Sequence, residues 1–172
     1  RDDPGPLVGL DAVGVADFFV EVDVGAAVIG VATGAAAVIA AGKRTPKVFV
    51  RKAGTYREYA PLDNPFVSLA WFLMDRASRD VIVKKVEEGD IPLSKYQSLA
   101  WNMQGYYAML EALDEHIRRN DGTVFRYTIP NAYNRVTGLR DLEILVEIEP
   151  DAVIIVEGVD CVNQETERYF DR

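Results

Sequence analysis

The chain has 172 residues, of which 27 are acidic and 19 basic, so its formal net charge is −8 at neutral pH. A hydrophobic content of 49% with 10% aromatic residues is typical of a folded domain and excludes a disordered acidic tail. The single cysteine, Cys161, excludes an internal disulfide. We therefore expect one domain over residues 1–172, located in a reducing compartment or an assembled particle.

The charges are unevenly distributed along the chain. Residues 1–23 carry a net charge of −5, residues 43–59 carry +5 and residues 141–172 carry −8, whereas residues 60–140 are balanced. This layout excludes a uniformly basic nucleic-acid-binding surface. It predicts instead that the basic middle docks on an acidic surface, either within the chain or on another copy, through contacts that salt weakens.

Residues 24–42 carry no charge and are rich in alanine and glycine. Glycines divide this run into pieces of strand length, which favours a buried segment of a folded domain. The run is also long enough to span a bilayer, so a single-pass membrane subunit is an alternative.

The first third of the chain is predicted to be rich in β-strands. Asp17–Asp23 and Lys47–Lys52 alternate between apolar and polar residues, as half-buried strands do. Ala53-Gly54 is typical of a turn, after which Thr55–Tyr59 is predicted to return as a second strand.

Two helices are predicted in the middle of the chain. The first begins at Asn64 as N-cap and ends at Gly89; the second begins with a capping box, Ser94 and Gln97, and ends at Asn120. The second helix has one unbroken apolar seam, formed by Tyr96, Leu99, Met103, Tyr106, Leu110, Leu113 and Ile117. Because the connection is short, the two helices are expected to be antiparallel neighbours.

Strands return after Thr123. Leu142–Ile148 alternates between an apolar face and an acidic face, and Ala152–Val156 is apolar on both faces. We therefore predict an α+β fold in which β-rich N-terminal (1–60) and C-terminal (123–160) segments form a sheet or sandwich around a central antiparallel helical hairpin (64–120).

No complete catalytic constellation is present, so we assign no catalytic, cofactor-binding or metal-binding residues and expect no cofactor. His116 is the only histidine and is expected to be a solvated residue at a helix end. One cysteine and one histidine are too few for a Cys/His zinc site. The alternative enzyme is a divalent-metal-dependent phosphoester-processing one. Its metal would be held by C-terminal carboxylates, namely Glu147, Glu149, Asp151, Glu157 and Asp160.

Cations and aromatic side chains interleave in the basic segment, which makes it the candidate binding site. The candidate residues are Lys43, Arg44, Lys47, Phe49, Arg51, Arg57 and Tyr59. Such a face can bind phosphates and stack on bases. It can equally pair with an acidic protein surface, including the chain's own strand Glu143–Glu149, and we favour this second interpretation.

These observations predict a non-enzymatic structural or interaction subunit of a larger or self-assembling complex, for example a virion or a multi-subunit particle. Aromatic residues outside the helical seam, Trp101 and Tyr107, support an interaction role. The expected partners are copies of itself or other protein subunits. Nucleic acid is a less favoured partner, and a membrane would be contacted through residues 24–42.

Overall fold

The computed structural model describes residues 44–63, 66–158 and 161–170, together with the backbone of residues 22–24 and 27–29. Most of the uncharged run 24–42, most of the strand predicted over Asp17–Asp23, and the predicted N-cap Asn64 lie outside the described residues. Both helices and strands are present, so the prediction of a mixed α and β protein is confirmed.

The described elements follow one another in the following order. The strands are β1 (Val22–Val24), β2 (Ala27–Ile29), β3 (Lys47–Lys52), β4 (Ala60–Leu62), β5 (Phe66–Ser68), β6 (Phe125–Ala132), β7 (Leu142–Ile148) and β8 (Ile155–Glu157). The helices are α1 (Arg76–Glu87), α2 (Tyr96–Ala100) and α3 (Met103–Arg119), with short 3-10 turns at Leu69–Phe72, Leu93–Lys95 and Glu167–Tyr169.

Four of the described strands form one antiparallel sheet with the order β4-β3-β7-β6. The predicted alternation in β7 is confirmed, because Ile144, Val146 and Ile148 are buried. The acidic side chains of β7 lie on the opposite face, as the same alternation requires. Separately, β5 pairs in parallel with β8, and β1 pairs with β2.

The core lies between the inner face of this sheet and α3. Helix α3 buries Tyr106, Met109, Leu110 and Leu113, and these side chains belong to the same apolar cluster as the inner residues of the sheet. Each fully buried side chain of this size contributes about 1.5–3 kcal/mol through the hydrophobic effect. The amphipathic spacing of α3 therefore fixes the helix against the sheet.

The first predicted helix is wrong in its N-terminal half. Phe66–Ser68 is a strand and Leu69–Phe72 a 3-10 turn, and α1 begins only at Arg76, after the N-cap Asp75. Pairing with β8 competes successfully with local helix propensity, because it lets this segment bury Val67 and several following residues. The predicted end of the helix at Gly89 is confirmed, with a φ of +81°.

The second predicted helix is broken into α2 and α3 at Trp101-Asn102. The backbone N–H of Asn102 donates to the carbonyl of Phe72 at 2.7 Å, and Trp101 adopts an extended conformation. Asn102 then caps α3 by accepting a hydrogen bond from Gly105 N–H. Ser94, predicted to begin this helix as its cap, lies instead within the 3-10 turn Leu93–Lys95, and α2 begins at Tyr96 without a side-chain cap.

The predicted helical hairpin consequently takes a different form. Helix α1 packs on α2, whereas α3 packs on β6, on the turn Leu69–Phe72 and on the turn Glu167–Tyr169. Trp101 and Tyr107 are partly buried against the core, so these aromatic residues have an internal packing role.

Two strand predictions also need correction. Thr55–Tyr59 belongs to a loop, and the strand that pairs with β3 is Ala60–Leu62. Two hydrogen bonds hold the start of this loop. Ala53 N–H donates to the carbonyl of Asp141, and Thr55 Oγ1 donates to the carbonyl of Lys52. Over the predicted strand Ala152–Val156, regular strand structure starts only at Ile155, because the φ of +69° at Asp151 turns the chain beforehand.

Candidate functional site

The solvent-facing side of the four-stranded sheet carries most of the predicted binding residues. Lys47, Phe49 and Arg51 alternate with the buried Val48 along β3, so they point to the opposite side of the sheet. The register sets Lys47 beside Glu147 and Arg51 beside Glu143 on β7. The basic and acidic strands that the sequence places far apart are therefore direct neighbours.

Arg44 and Lys47 both pair with Glu149, which follows β7. Arg44 Nη1 lies 2.9 Å from Glu149 Oε2, and Lys47 Nζ lies 2.5 Å from Glu149 Oε1. The hydrogen bond and charge of Lys47, with a smaller effect of Arg44, lower the pKa of Glu149 below its ordinary range. Both cations thus have an intramolecular partner.

Arg51, Tyr59 and Glu143 form a network on the same face. Arg51 Nε donates to Glu143 Oε1 at 2.8 Å, the Tyr59 hydroxyl donates to the same oxygen, and Arg51 Cζ lies 4.4 Å from the centre of the Tyr59 ring. The hydrogen bond from Tyr59, followed by that from Arg51, lowers the pKa of Glu143. Burial, followed by the hydrogen bond to Glu143, raises the pKa of Tyr59.

The remaining predicted residues are placed differently. Phe49 is half-buried between Pro61 on β4 and Leu145 on β7, while Lys43 lies outside the described residues. Arg57 is exposed in loop 53–59 and has no hydrogen bond or ion pair to the described part of the chain. Tyr56, which sequence reasoning assigned to a strand, is fully exposed beside it, with a relative exposure of 106%.

The C-terminal carboxylates proposed as a metal site are dispersed or paired with cations. Glu147 Oε1 accepts from Arg126 Nε at 2.7 Å, and Glu149 is occupied by Arg44 and Lys47. Within residues 44–63, 66–158 and 161–170, no group of three or more His, Cys, Asp or Glu side chains could hold a metal ion. Asp160 lies outside those ranges.

His116 is half-buried, which differs from the solvated residue expected from the sequence. Its Nε2 lies 3.1 Å from the carbonyl oxygen of Thr123, and its Nδ1 lies 3.1 Å from Arg119 Nη2. A carbonyl only accepts and a guanidinium only donates, so these contacts fit a neutral imidazole that carries its proton on Nε2. The ring also packs on Phe125, with 5.3 Å between ring centres. This arrangement gives His116 a role in joining α3 to β6.

A second surface is formed by residues 76–99, which comprise α1, the following turn and most of α2, and which we name the helical arm. None of the residues of α1 is buried. Val81, Leu93 and Leu99 of the helical arm are exposed, with relative exposures of 55%, 74% and 44%. These apolar side chains are therefore not part of the buried core but form an exposed apolar surface.

Comparisons with known protein families, with curated proteins and with solved structures find no match to this chain. Among the helices that the structure describes, none is long and apolar enough to cross a membrane.

Proposed function

We propose that this protein is a non-enzymatic structural or interaction subunit that assembles with copies of itself through the helical arm. The observation that carries this proposal is that the helical arm exposes apolar side chains while burying none on α1. Ordering two helices on the surface of a domain is costly in conformational entropy. Burial of these side chains against a partner offsets that cost.

The charge of the helical arm favours a second copy as the partner. Residues 76–99 contain five basic and four acidic side chains, in a chain whose net charge is −8. Two copies in a symmetric contact meet through the same patch, so a patch that is close to neutral avoids the repulsion that the whole chain would produce. The nine charges of both signs also allow pairing around the apolar centre.

Sedimentation velocity over a range of protein concentrations tests this proposal. We expect the wild type to associate, and Val81→Ser combined with Leu93→Ser to weaken association by about tenfold or more. Ile117→Ser is the matched control, because Ile117 is equally an exposed aliphatic residue, 50% exposed, but lies on α3. Circular dichroism establishes that all variants are folded.

A wild-type chain that stays monomeric at every concentration and salt would contradict self-assembly. If Ile117→Ser weakens association as much as Val81→Ser combined with Leu93→Ser does, the contact lies outside the helical arm. An apolar contact is expected to respond weakly to salt, whereas docking of the basic segment on acidic segments is expected to weaken as salt is added.

We further propose that the chain folds as a single α+β domain over residues 1–172, with its β-rich N-terminal and C-terminal segments sharing a sheet next to the helices. The antiparallel pairing of β3 with β7 supports this arrangement, since it joins segments almost a hundred residues apart. Limited proteolysis tests it. Resistance throughout residues 44–170, with no stable smaller fragment, is the expected result.

A further inference from the structure

Three arginines lie where the N-terminal end of α1 meets the loop between β6 and β7. We name Arg76, Arg79 and Arg140 the arginine cluster. The two segments are joined by the backbone N–H of Arg76, which donates to the carbonyl of Gly138 at 2.8 Å. These residues come from two stretches about sixty positions apart, so no local sequence pattern brings them together.

Arg79 is held rigidly in the arginine cluster. Its Nε donates to the carbonyl oxygen of Met74 at 3.1 Å, and its Nη2 donates to the Tyr133 hydroxyl at 2.6 Å. The guanidinium carbon also lies 4.9 Å from the centre of the Tyr133 ring. These contacts use one edge of the guanidinium and leave Nη1 with no partner in the described part of the chain.

Arg140 and Arg76 lie around the same turn. Arg140 Nε donates to the carbonyl of Asn131 at 2.8 Å, and its Nη1 is 3.9 Å from the sulfur of Met74, the residue that also binds Arg79. The side chain of Arg76 lies against Gly138, where an added Cβ would come within 3.1 Å of Arg76 Nε. Gly138 therefore leaves room for this guanidinium, and a larger residue would displace it.

The carboxylates near the arginine cluster are bound mainly to other groups, although the charge of Arg140 contributes to the lowered pKa of Asp75, after the hydrogen bonds from Ser78. Among the described residues, no carboxylate oxygen lies within ion-pair distance of these three guanidinium groups. Asp75 accepts from the backbone N–H and the hydroxyl of Ser78, and Asp141 Oδ1 accepts from Asn134 and Thr137. Arg79 and Arg140 are half-buried, and partial burial of a cation is costly unless an anion accompanies it.

We propose that the arginine cluster is a binding site for a phosphate group, either free or at the end of a small ester. Several planar guanidinium groups with unused N–H donors suit the oxygens of a phosphate dianion, and main-chain contacts preorganise two of them. No lysine is part of the cluster. The common feature of the cluster is therefore the planar guanidinium group, whose N–H donors have fixed relative positions, whereas the ammonium group of a lysine is a mobile single charge. Arg76 and Arg79 are also residues of the helical arm, but the apolar side chains on which self-association rests, Val81, Leu93 and Leu99, are not part of this site.

Isothermal titration calorimetry with inorganic phosphate tests the site, using sodium chloride at matched ionic strength as the reference. We expect saturable binding by the wild type and a Kd raised by about tenfold or more in Arg140→Gln and in Arg76→Gln, since each removes charge-assisted hydrogen bonds. Arg118→Gln is the matched control, because Arg118 is an exposed arginine on α3, outside the arginine cluster. Its Kd is expected to equal that of the wild type.

Further ligands distinguish the source of the phosphate. Glycerol phosphate that binds more tightly than inorganic phosphate identifies an ester as the ligand, and the opposite order identifies free phosphate. An absence of binding by the wild type overturns the proposal, as does an equal Kd in wild type and Arg140→Gln. Binding of a polyglutamate peptide without any binding of phosphate also overturns it and would identify an acidic protein partner.

Discussion

Replacing Glu143 by Gln tests whether the network on the outer face of the sheet stabilises the fold. The substitution keeps the shape of the side chain and removes its charge. In the wild type this carboxylate binds the Arg51 guanidinium and the Tyr59 hydroxyl, and the side chains of Glu143 and Arg51 are only 17% and 29% exposed. The amide retains an acceptor oxygen for one of these donors and loses the ionic contribution.

The expected loss follows from this partial burial. A fully exposed ion pair contributes between about 0.2 and 1 kcal/mol, whereas a hydrogen bond to a charged group contributes about 1.5–3 kcal/mol. The network lies between these limits, so we expect Glu143→Gln to lower the free energy of unfolding by about 1–1.5 kcal/mol. Glu147→Gln is the matched control on the same strand face; its partner Arg126 is 61% exposed, so a loss below about 0.5 kcal/mol is expected.

Urea denaturation of both variants, together with Tyr59→Phe and the double variant, measures these losses. Tyr59 and Glu143 share a hydrogen bond, so their effects should be non-additive by about 0.5 kcal/mol or more. Because the folded-state pKa of Glu143 is lowered from its ordinary value of 4.5, its contribution is present above that value and is lost as the pH falls through the folded pKa. The difference between wild type and Glu143→Gln should therefore shrink in acid. Equal losses for the two glutamate variants, or strict additivity with Tyr59→Phe, would refute this reasoning.

Two further predictions concern backbone geometry and buried polar groups. Gly158→Ala should cost at least about 2 kcal/mol, because φ is +140° and the new Cβ would lie 2.5 Å from Leu69 Cβ, whereas Gly54→Ala, with φ of +69° and open space, should cost about 1 kcal/mol. Equal midpoints for the two alanine variants in urea would contradict this. Thr166→Val should cost about 1–3 kcal/mol, because it removes the buried hydroxyl that accepts from Asn163 N–H at 2.8 Å, and Thr166→Ser should restore most of the loss in thermal unfolding.

Local pattern was sufficient to predict β3 and β7. Lys47–Lys52 and Leu142–Ile148 alternate strictly, and each buries the face that its apolar residues define. The ends of α1 and α3 were also predictable, because Gly89 and Asn120 adopt positive φ values that few other residues tolerate. In each case the physical cause lies within a few residues of the element itself.

Elements that depend on distant partners were not predictable in the same way. Phe66–Phe72 has the apolar spacing of a helix, yet its strand pairs with Ile155–Glu157, nearly ninety positions away. The seam of the second predicted helix continues at helical spacing through Trp101-Asn102, although the backbone there bonds to Phe72. Spacing describes which side chains share a face, and it does not reveal a backbone hydrogen bond to another segment.

For the charged residues, too, some properties follow from the sequence and others only from the fold. Their types and positions can be read from the sequence, but whether Arg51 is available to a partner depends on the register that sets it beside Glu143. The arginine cluster is likewise brought together by the contact between α1 and Gly138. Sequence reasoning therefore identified a basic segment and did not distinguish its paired cations from those that lack a carboxylate.

The pairing of β3 with β7 changes where binding is expected. Arg44, Lys47 and Arg51 belong to the basic segment 43–59, and each is paired with a carboxylate of the same chain. A partner that bound them would first have to break those ion pairs, so it would gain little net free energy. The exposed apolar side chains of the helical arm and the guanidinium groups of the arginine cluster offer more. The guanidinium groups bind carbonyl and hydroxyl oxygens of the chain, but no described carboxylate lies within ion-pair distance of them. Self-association and anion binding should also differ in their response to salt. Contacts of the helical arm should persist in salt, whereas an anion on the arginine cluster should be released by it, and a salt series alone therefore separates one interaction from the other.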